Sequence, residues 1–212
     1  MKRPRDWSLY LVTDRALAGA RTLVEVARAA VRGGVTAVQL REKNCATREF
    51  VELGRDLKTL LAPLGVPLIV NDRVDVALAI GADGVHLGQS DMDYDTARRL
   101  LGPEAVIGLS VETMHQAEQA ENLTVDYLGV GPVFATATKP DAAAPWGLES
   151  LAALRKTSKH VLVAIGGIDV ANTPGVIEAG ADGVAVVSAL CAAADVELAA
   201  RRFRDAIKSR RP

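Results

Sequence analysis

Eight short apolar runs, spaced along the whole chain, constrain the fold more than any other feature of the sequence. The runs are rich in Val, Ile and Leu and alternate little with polar residues, which is typical of parallel strands covered on both faces. Longer amphipathic stretches, which close on glycine as helices often do, separate the runs. The predicted strands are SLYLV (8–12), TAVQL (36–40), PLIVN (67–71), GVHL (84–87), AVIGLS (105–110), YLGVG (127–131), HVLVAI (160–165) and GVAVVS (183–188).

This alternation predicts an α/β fold, namely a (β/α)8 TIM barrel with eight parallel strands. A weak internal repeat agrees with it, since AVRGGVTAVQL, ALAIGADGVHL and IEAGADGVAVV each pass from a helix end through glycine into a short strand. An open doubly wound sheet is the alternative, because closure cannot be read from the sequence. No linker or break in composition interrupts the 212 residues, so we predict that residues 1–212 form a single barrel domain.

Charge and composition argue against several classes of protein. The formal net charge of -1 lacks the basic surplus that is typical of nucleic-acid binding. No apolar run approaches the roughly 20 residues of a membrane span, and MKRPRDWSLY lacks the apolar core of a secretory signal. Cys45 and Cys191 match no metal-ligand spacing. We therefore expect a cytoplasmic protein with two buried or half-buried free thiols.

Polar groups collect at the predicted C-terminal ends of the strands, where barrels of this kind carry their chemistry. In the extended segment after the second strand, Gln39, Arg41 and Lys43 point to one side. Glu42 points to the other side. The later strand exits carry further groups that can hold an oxyanion or a metal, namely Asn71, Asp72, Gly88, Gln89, Ser90, Asp91, Ser110, Thr136, Thr138, Lys139, Gly166, Gly167, Val187 and Ser188.

Asp72 and Asp91 follow neighbouring predicted strands, whose backbones lie roughly 4.8 Å apart. Their carboxylates could share one hard cation, and magnesium suits a site with one or two carboxylates completed by water and phosphate. The alternative is that each aspartate caps the helix after it. The neighbouring cations Arg41, Lys43 and Lys139 favour a magnesium-bound diphosphate over unrelated surface charges.

A second phosphate site is predicted at the end of the chain. Gly166 and Gly167 follow the seventh strand, and Val187 and Ser188 end the eighth. Loops after these two strands form the commonest phosphate cradle of the fold, and bare glycine lets an oxyanion approach the backbone. The alternative is that the two glycines only form a tight turn. The sequence thus predicts a metal-assisted diphosphate pocket beside a metal-free monophosphate nest.

Other polar and aromatic residues have structural interpretations. Ser110 and Thr113 are both candidate caps of the helix TMHQAEQAEN, and Thr113 with Gln116 matches a capping box. Neither His115 nor His160 is assigned a role. Three ring side chains are predicted to pack in the core or to cover the barrel, namely Trp7, His86 and Trp146.

With these residues assembled, the chain resembles the thiamine-phosphate synthase family, also known as the thiamine-phosphate pyrophosphorylase family. The resemblance extends from LYLVTD (9–14) to GVAVVSAL (183–190). It rests on motifs that are specific together, whereas GADGV alone is not. In order along the chain they are QLREK (39–43), ND (71–72), GVHLGQSD (84–91), GPVFATATK (131–139), GLESL (147–151), GGI (166–168) and VS (187–188).

The resemblance implies a TIM barrel that joins 4-amino-2-methyl-5-hydroxymethylpyrimidine diphosphate to a thiazole phosphate and releases diphosphate, with Mg²⁺ as cofactor. It implies magnesium ligands at Asp72 and Asp91. The implied contacts to the pyrimidine diphosphate are Gln39, Leu40, Arg41, Glu42, Lys43, Asn71, Ser110 and Lys139. The implied thiazole-phosphate contacts are Thr136, Ala137, Thr138, Gly167, Val187 and Ser188.

The implied reaction is a dissociative substitution, in which Arg41, Lys43 and Lys139 act catalytically by stabilising negative charge on the departing diphosphate. Two positions depart from the family pattern. Glu112 stands where relatives often carry histidine, and Ala135 where they often carry proline. The first departure is expected to alter substrate contacts near the fifth strand. The second is expected to make the loop that carries Thr136 and Thr138, called the threonine loop below, more flexible.

Two other functions compete with this one. A thiazole tautomerase of the same barrel family would isomerise the thiazole and would not need the full set of diphosphate-binding charges. A non-catalytic sensor of phosphate ligands would bind thiamine intermediates and act through a partner. Magnesium-dependent release of diphosphate separates the synthase from both. The sequence leaves open the oligomeric state and the thiazole tautomer used.

Overall fold

A computed structural model of the chain describes residues 5–136, 138 and 144–209. Eight parallel strands form a closed barrel in chain order, and the last strand pairs with the first. Each strand overlaps one of the eight apolar runs, so the barrel prediction is confirmed and the open sheet is excluded. The strands are β1 (Leu9–Val12), β2 (Ala37–Leu40), β3 (Leu68–Asn71), β4 (Gly84–Leu87), β5 (Val106–Val111), β6 (Tyr127–Val130), β7 (Leu162–Ile165) and β8 (Gly183–Val186).

Helices connect the strands and cover the outside of the barrel. Two of them, α1 (Arg15–Ala18) and α9 (Ser188–Cys191), are single turns in the loops after β1 and β8. A 3₁₀ turn, Ala62–Leu64, continues helix α3 (Thr47–Leu61). The helices within the described residues are α1 (Arg15–Ala18), α2 (Leu23–Arg32), α3 (Thr47–Leu61), α4 (Val74–Ile80), α5 (Tyr94–Leu101), α6 (Met114–Ala120), α7 (Gly147–Thr157), α8 (Thr173–Glu178), α9 (Ser188–Cys191) and α10 (Val196–Lys208).

The helix ends follow from local sequence. The hydroxyl of Thr113 accepts a hydrogen bond from the Gln116 N–H while the Gln116 side chain accepts one from the Thr113 N–H, so the predicted capping box is confirmed. Glycine follows the last residue of α2 and of α5, as predicted. No helix within the described residues has both the length and the apolar character needed to cross a membrane.

The main hydrophobic core lies between the sheet and the helices, and it contains the outward-facing strand residues. Both cysteines are free, Cys191 buried and Cys45 half-buried, as predicted. Burial raises the pKa of the Cys191 thiol to about 11, so this thiol is unreactive at neutral pH. Trp146 is buried at the start of α7, which confirms its predicted packing role.

A second, smaller core fills the interior of the barrel. The Trp7 ring lies 4.5 Å from that of Tyr127 and 5.7 Å from that of Tyr10, so the packing predicted for Trp7 is confirmed. Each large ring buried this way contributes about 1.5–3 kcal/mol to stability. The core closes one end of the barrel interior with Trp7, Tyr10, Val12, Ala37, Ile69, Val106, Tyr127, Val163 and Ala185.

Candidate active site

A cavity of about 510 Å³ lies at the strand exits, and its deepest walls are the inward-facing strand residues. Its volume falls in the range of small-molecule sites, about 300–1,000 Å³. The structure brings most of the predicted site residues together around it. Those that line it are Gln39, Arg41, Lys43, Asn71, Asp72, Ser110, Thr136, Thr138, Gly167, Val187 and Ser188.

Charged side chains converge where β2, β3 and β4 end. The Lys43 ammonium lies 2.6 Å from the Asp72 carboxylate. The Asp91 carboxylate accepts a hydrogen bond of 2.7 Å from the Gly88 N–H, which holds it toward the exit of β4. Burial raises the pKa of Asp91, and the hydrogen bond and like charge of Asp72 raise it further. The two predicted metal ligands are therefore neighbours, and Lys43 lies beside Asp72.

Asp72 adopts a left-handed backbone conformation, with φ of 63°. It is the only residue other than glycine with positive φ in the part of the chain that the structure describes. Such a conformation costs a side-chain-bearing residue about 1 kcal/mol or more, although aspartate tolerates it better than most. The Asp72 N–H still donates to the His86 carbonyl at 2.9 Å, so β4 holds the turn in place. The fold maintains an unfavourable backbone angle at a predicted metal ligand.

The capping alternative for the two aspartates is wrong. The N-cap of α4 is Arg73, which makes no side-chain capping bond, and α5 is capped by Asp93. The prediction that Ser110 caps α6 is also wrong. Ser110 lies inside β5, and its hydroxyl contacts His86 rather than a helix end. Thr113 is the side-chain cap of α6.

Residues that follow β1 hold the backbone at the end of β2 through hydrogen bonds. The buried Thr13 hydroxyl accepts a hydrogen bond of 3.0 Å from the Arg41 N–H, and the Thr13 N–H donates to the Gln39 carbonyl. The Arg41 guanidinium lies 3.9 Å from Asp14, which also caps α1. Arg41 therefore reaches the cavity from a backbone that β1 holds at two points.

Two of the predicted substrate contacts in this segment point away from the cavity. The Glu42 carboxylate pairs with Arg15 at 3.3 Å, on the opposite side as predicted. Leu40 is fully buried in the core between the barrel and the helices. A substrate in the cavity can meet Leu40 only through its backbone.

A different kind of wall lies where β6, β7 and β8 end. Gly166 and Gly167 have φ of 99° and 63°, values that strongly favour glycine. A Cβ at Gly166 would lie 2.6 Å from Pro132, and one at Gly167 would lie 2.6 Å from the Ala135 carbonyl. The two glycines therefore form a tight turn. They also allow close packing, because the loop after β6 lies directly against this glycine pair.

The glycine turn is tied down from two sides. The Val133 N–H donates to the Ile165 carbonyl and the Phe134 N–H donates to the Gly166 carbonyl, at 2.8 and 3.0 Å. On the other side the Asn172 amide donates to the Gly167 carbonyl at 2.9 Å. The turn that lines the cavity is thus a constrained backbone, with its carbonyls hydrogen-bonded on both sides.

The threonine loop after β6 is described in part. Thr136 and Thr138 line the cavity, and the Thr138 N–H donates to the Thr136 hydroxyl at 3.2 Å. Ala137 and Lys139, both predicted contacts, lie outside the described residues. Glu112, one of the two departures from the family pattern, lines the cavity two residues after Ser110.

A buried hydrogen-bond chain crosses the deepest wall of the cavity. The Gln39 amide contacts the Tyr10 hydroxyl at 3.2 Å, and that hydroxyl contacts the Tyr127 hydroxyl at 3.0 Å. His86 then lies between Tyr127 and Ser110, with ring nitrogens at 2.9 and 2.8 Å from their hydroxyls. Burial lowers the pKa of His86 to about 4, partly opposed by the charge of Asp72, so the ring is neutral at pH 7.

The sequence predictions missed the two tyrosines and gave His86 only a packing role. A signal was present, since successive inward-facing positions of a strand are two residues apart. Counting back two residues from Val12 leads to Tyr10, and counting back two from Gly88 leads to His86. The cross-strand register then brings these rings together, and only the assembled barrel reveals that register.

The donor set in the charged wall suits magnesium better than a structural transition metal. Within the described residues, no group of three or more His, Cys, Asp or Glu side chains comes close enough to hold a metal ion. Asp72 lines the cavity and Asp91 lies beside Asp72, so a divalent cation held by both would balance their negative charge. Magnesium is commonly held by two carboxylates, with water and substrate phosphate completing its shell.

Comparison with known proteins points to one family. The sequence profile of the family described as thiamine monophosphate synthase matches residues 9–190. A thiamine-phosphate synthase from Albidiferax ferrireducens is 60% identical over 199 residues, which cover 94% of this chain and 91% of the relative. One from Syntrophomonas wolfei is 55% identical over 199 residues, covering 94% of this chain and 95% of the relative.

A solved structure has the same architecture. The thiamine phosphate pyrophosphorylase from Pyrococcus furiosus superposes with a TM-score of 0.89 at 41% sequence identity. The match covers 97% of this chain and 98% of that one. The resemblance inferred from the motifs is confirmed, and the chain belongs to the thiamine monophosphate synthase family.

Proposed function

We propose that this enzyme condenses a pyrimidine diphosphate with a thiazole phosphate to give thiamine phosphate and diphosphate. The observation that carries the proposal is one cavity with two unlike anion-binding walls. One wall holds Lys43 within 2.6 Å of Asp72, beside Asp91. The other is the constrained Gly166–Gly167 turn. Two small-molecule substrates that each carry phosphate, and must meet, need such an arrangement.

Magnesium is the proposed cofactor, with Asp72 and Asp91 as its protein ligands. The fit rests on two neighbouring carboxylates, of which Asp91 has a raised pKa, beside a cavity able to admit a phosphorylated ligand. When bound there, the ion would neutralise negative charge on the diphosphate as it leaves. The carboxylate of Asp72 would then no longer depend on Lys43 alone for its counter-charge.

Arg41, Lys43 and Lys139 are the proposed catalytic cations. Arg41 and Lys43 line the cavity, and both extend from the segment that follows β2. Lys139 lies outside the described residues, so its role follows from the motif alone. Fixed positive charge aimed at a leaving group lowers the barrier because it costs no reorganisation when the bond breaks. The proposed pyrimidine-diphosphate contacts are these cations with Gln39, Leu40, Glu42, Asn71 and Ser110.

The second substrate is held by its phosphate at the opposite wall. We assign this role to the backbone of Gly167 and of Val187–Ser188, which line the cavity. Thr136 and Thr138 line it from the loop after β6, and Ala137 is assigned with them from the motif. This phosphate is unchanged by the reaction, so it needs an anchor rather than a charge that responds to bond breaking.

The proposed chemistry balances without a protein nucleophile. The bond between the methylene carbon and the diphosphate oxygen breaks, and its electron pair leaves with the diphosphate. The amino group of the pyrimidine donates electron density to the carbon cation that remains. The thiazole nitrogen then supplies the electron pair of the new carbon–nitrogen bond. Val163, Ile165 and Ala185 give the cavity an apolar lining that disfavours attack by water.

Turnover with purified protein tests the proposal. With both substrates and magnesium, we expect thiamine phosphate by mass and one diphosphate per product, and neither when one substrate or the metal is left out. A tautomerase would convert the thiazole alone, and a sensor would bind without releasing diphosphate. The relatives named above are all thiamine-phosphate synthases, which favours the synthase over both. Release of diphosphate without thiamine phosphate would contradict it.

A further inference from the structure

The hydrogen-bond chain across the cavity wall is buried and continuous. It joins Gln39, Tyr10, Tyr127, His86 and Ser110 in that order, with steps of 3.2, 3.0, 2.9 and 2.8 Å. Tyr10 and Tyr127 are 1% exposed and His86 is 9% exposed. Every step joins residues at least 24 positions apart in sequence. We call these five residues the hydroxyl relay.

Two glycines make room for the relay. A Cβ at Gly108 would lie 2.1 Å from the Tyr127 ring, and one at Gly129 would lie 2.8 Å from the His86 ring. The register explains this, because Gly108 lies opposite His86 on one side and Tyr127 on the other. Gly129 in turn lies opposite Ser110. The His86 and Tyr127 rings stack at 19° across the space that the glycines leave.

One direction of donation, beginning at Gln39, is consistent with every step of the relay. The amide nitrogen of Gln39 donates to the Tyr10 oxygen, and in the arrangement that continues this direction the Tyr10 hydroxyl donates to Tyr127. The Tyr127 oxygen then accepts this hydrogen bond, and the Tyr127 hydroxyl donates its own hydrogen bond to His86 Nδ1.

With Nδ1 as an acceptor, the neutral imidazole carries its proton on Nε2. That proton is donated to the Ser110 oxygen at 2.8 Å. The Ser110 carbonyl is separately engaged by the Gln89 amide at 2.6 Å. With its oxygen already accepting from the histidine, the serine has its own hydroxyl proton left to donate into the cavity that it lines.

We propose that Tyr10, Tyr127 and His86 are positioning residues that fix the Ser110 hydroxyl as a hydrogen-bond donor to the substrate. The acceptor is an oxygen or ring nitrogen of the pyrimidine diphosphate, so the proposal rests on the proposed function. Without the relay, His86 could carry its proton on Nδ1, and the Ser110 hydroxyl would then donate to the unprotonated Nε2. The Ser110 oxygen would in that case present only lone pairs to an anionic substrate. The relay excludes that orientation before the substrate arrives.

The opposite polarity is a distinct and measurable state. It requires the Gln39 amide oxygen to face Tyr10, and it puts the histidine proton on Nδ1. The chain contains three histidines, so nitrogen-15 NMR of labelled protein resolves each ring, and a His86→Gln variant identifies the His86 signals. In protein without substrates we expect the Nε2–H tautomer, and a mixture of tautomers in Tyr127→Phe. The Nδ1–H tautomer in the unmodified protein would overturn the proposal.

Kinetics test whether the relay acts through Ser110. We expect Tyr127→Phe to lower kcat about tenfold, the size of one lost hydrogen bond, with little change in the KM for the thiazole phosphate. Tyr94→Phe is the matched control, because the Tyr94 hydroxyl also makes a 2.9 Å hydrogen bond but lies on α5, outside the cavity. It should keep unmodified turnover.

A double-mutant cycle with Ser110→Ala separates positioning from general loss of structure. If Tyr127 acts through Ser110, then adding Tyr127→Phe to Ser110→Ala should cost less than twofold. Losses that simply multiply would overturn the relay, since the tyrosine would then act by another route. The tautomer measurement needs no turnover, so it decides the relay even where the synthase assay fails, and the two proposals can fail separately.

Discussion

The two walls of the cavity offer different groups to an anion. The wall at the exits of β2, β3 and β4 uses side-chain charge, with Lys43 2.6 Å from Asp72 and Asp91 close enough for Asp72 to raise its pKa. The wall at the exits of β6, β7 and β8 uses backbone, since Gly166 and Gly167 have no side chain. Under the proposed reaction, negative charge grows at the first wall and stays constant at the second. Developing charge calls for side chains and a metal, whereas a constant charge can be held by amides.

Removing a charge from the first wall should have the largest effect. We expect Lys43→Ala to lower kcat by about 10²–10³, the usual cost of one aimed group at a site of charge development. Lys58→Ala is a matched control, because Lys58 also forms a 2.7 Å ion pair with an aspartate, Asp83, but away from the cavity. Steady-state turnover checks this. Equal losses in the two variants would remove the distinction between the walls.

Altering the backbone of the second wall should act mainly on binding. Gly167→Ala would force an alanine to φ of 63° and push its Cβ against the Ala135 carbonyl. We expect the KM for the thiazole phosphate to rise about tenfold, as expected for displaced backbone donors, with kcat changed less. Gly65→Ala is a control with φ of 66° and open space around its Cβ. A fall in kcat with unchanged KM would contradict the anchoring role.

The strained turn at Asp72 allows a finer test of the first wall. Both Asp72→Asn and Asp72→Gly remove the carboxylate, but only glycine also relieves φ of 63°. We expect the glycine variant to be more stable than the asparagine variant by about 0.5–1 kcal/mol, while both lose turnover. Urea unfolding measures the difference. A glycine variant less stable than the asparagine variant would show that the turn carries no strain.

The smallest effect should come from a side chain in the second wall. We expect Ser188→Ala to raise the KM for the thiazole phosphate by no more than about threefold, a fraction of one neutral hydrogen bond, because the backbone does most of the holding. Substrate titrations in both variants would compare it with Gly167→Ala. A loss as large as that of Gly167→Ala would mean that the hydroxyl, rather than the amides, is the anchor.

Local patterns were enough to predict the strands and their exits. Each apolar run is a strand because it is short, β-branched and bounded by glycine or polar residues, and the exits inherit their positions from those ends. The pairing of Asp72 with Asp91 followed from the adjacency of β3 and β4. The capping role offered as an alternative was wrong because the helices begin one or more residues later, at Val74 and Tyr94.

Features that depend on register across the barrel were not predictable. The contact of Tyr10 with Tyr127 joins strands that are 117 residues apart in sequence, and no periodicity within either strand reports it. Gly108 and Gly129 look like ordinary strand glycines until the rings that they accommodate are in place. Positive φ at Asp72 is likewise set by the fold, because aspartate alone does not demand it.

The rings of Trp7, Tyr10 and Tyr127 close one end of the barrel interior. This has a consequence for the order in which substrates bind. The predicted substrate groups among the described residues lie at the other end, around the strand exits. A substrate bound against the rings would be covered by one bound nearer the strand exits. We therefore expect the deeper substrate to bind first and the fused product to leave toward the strand exits.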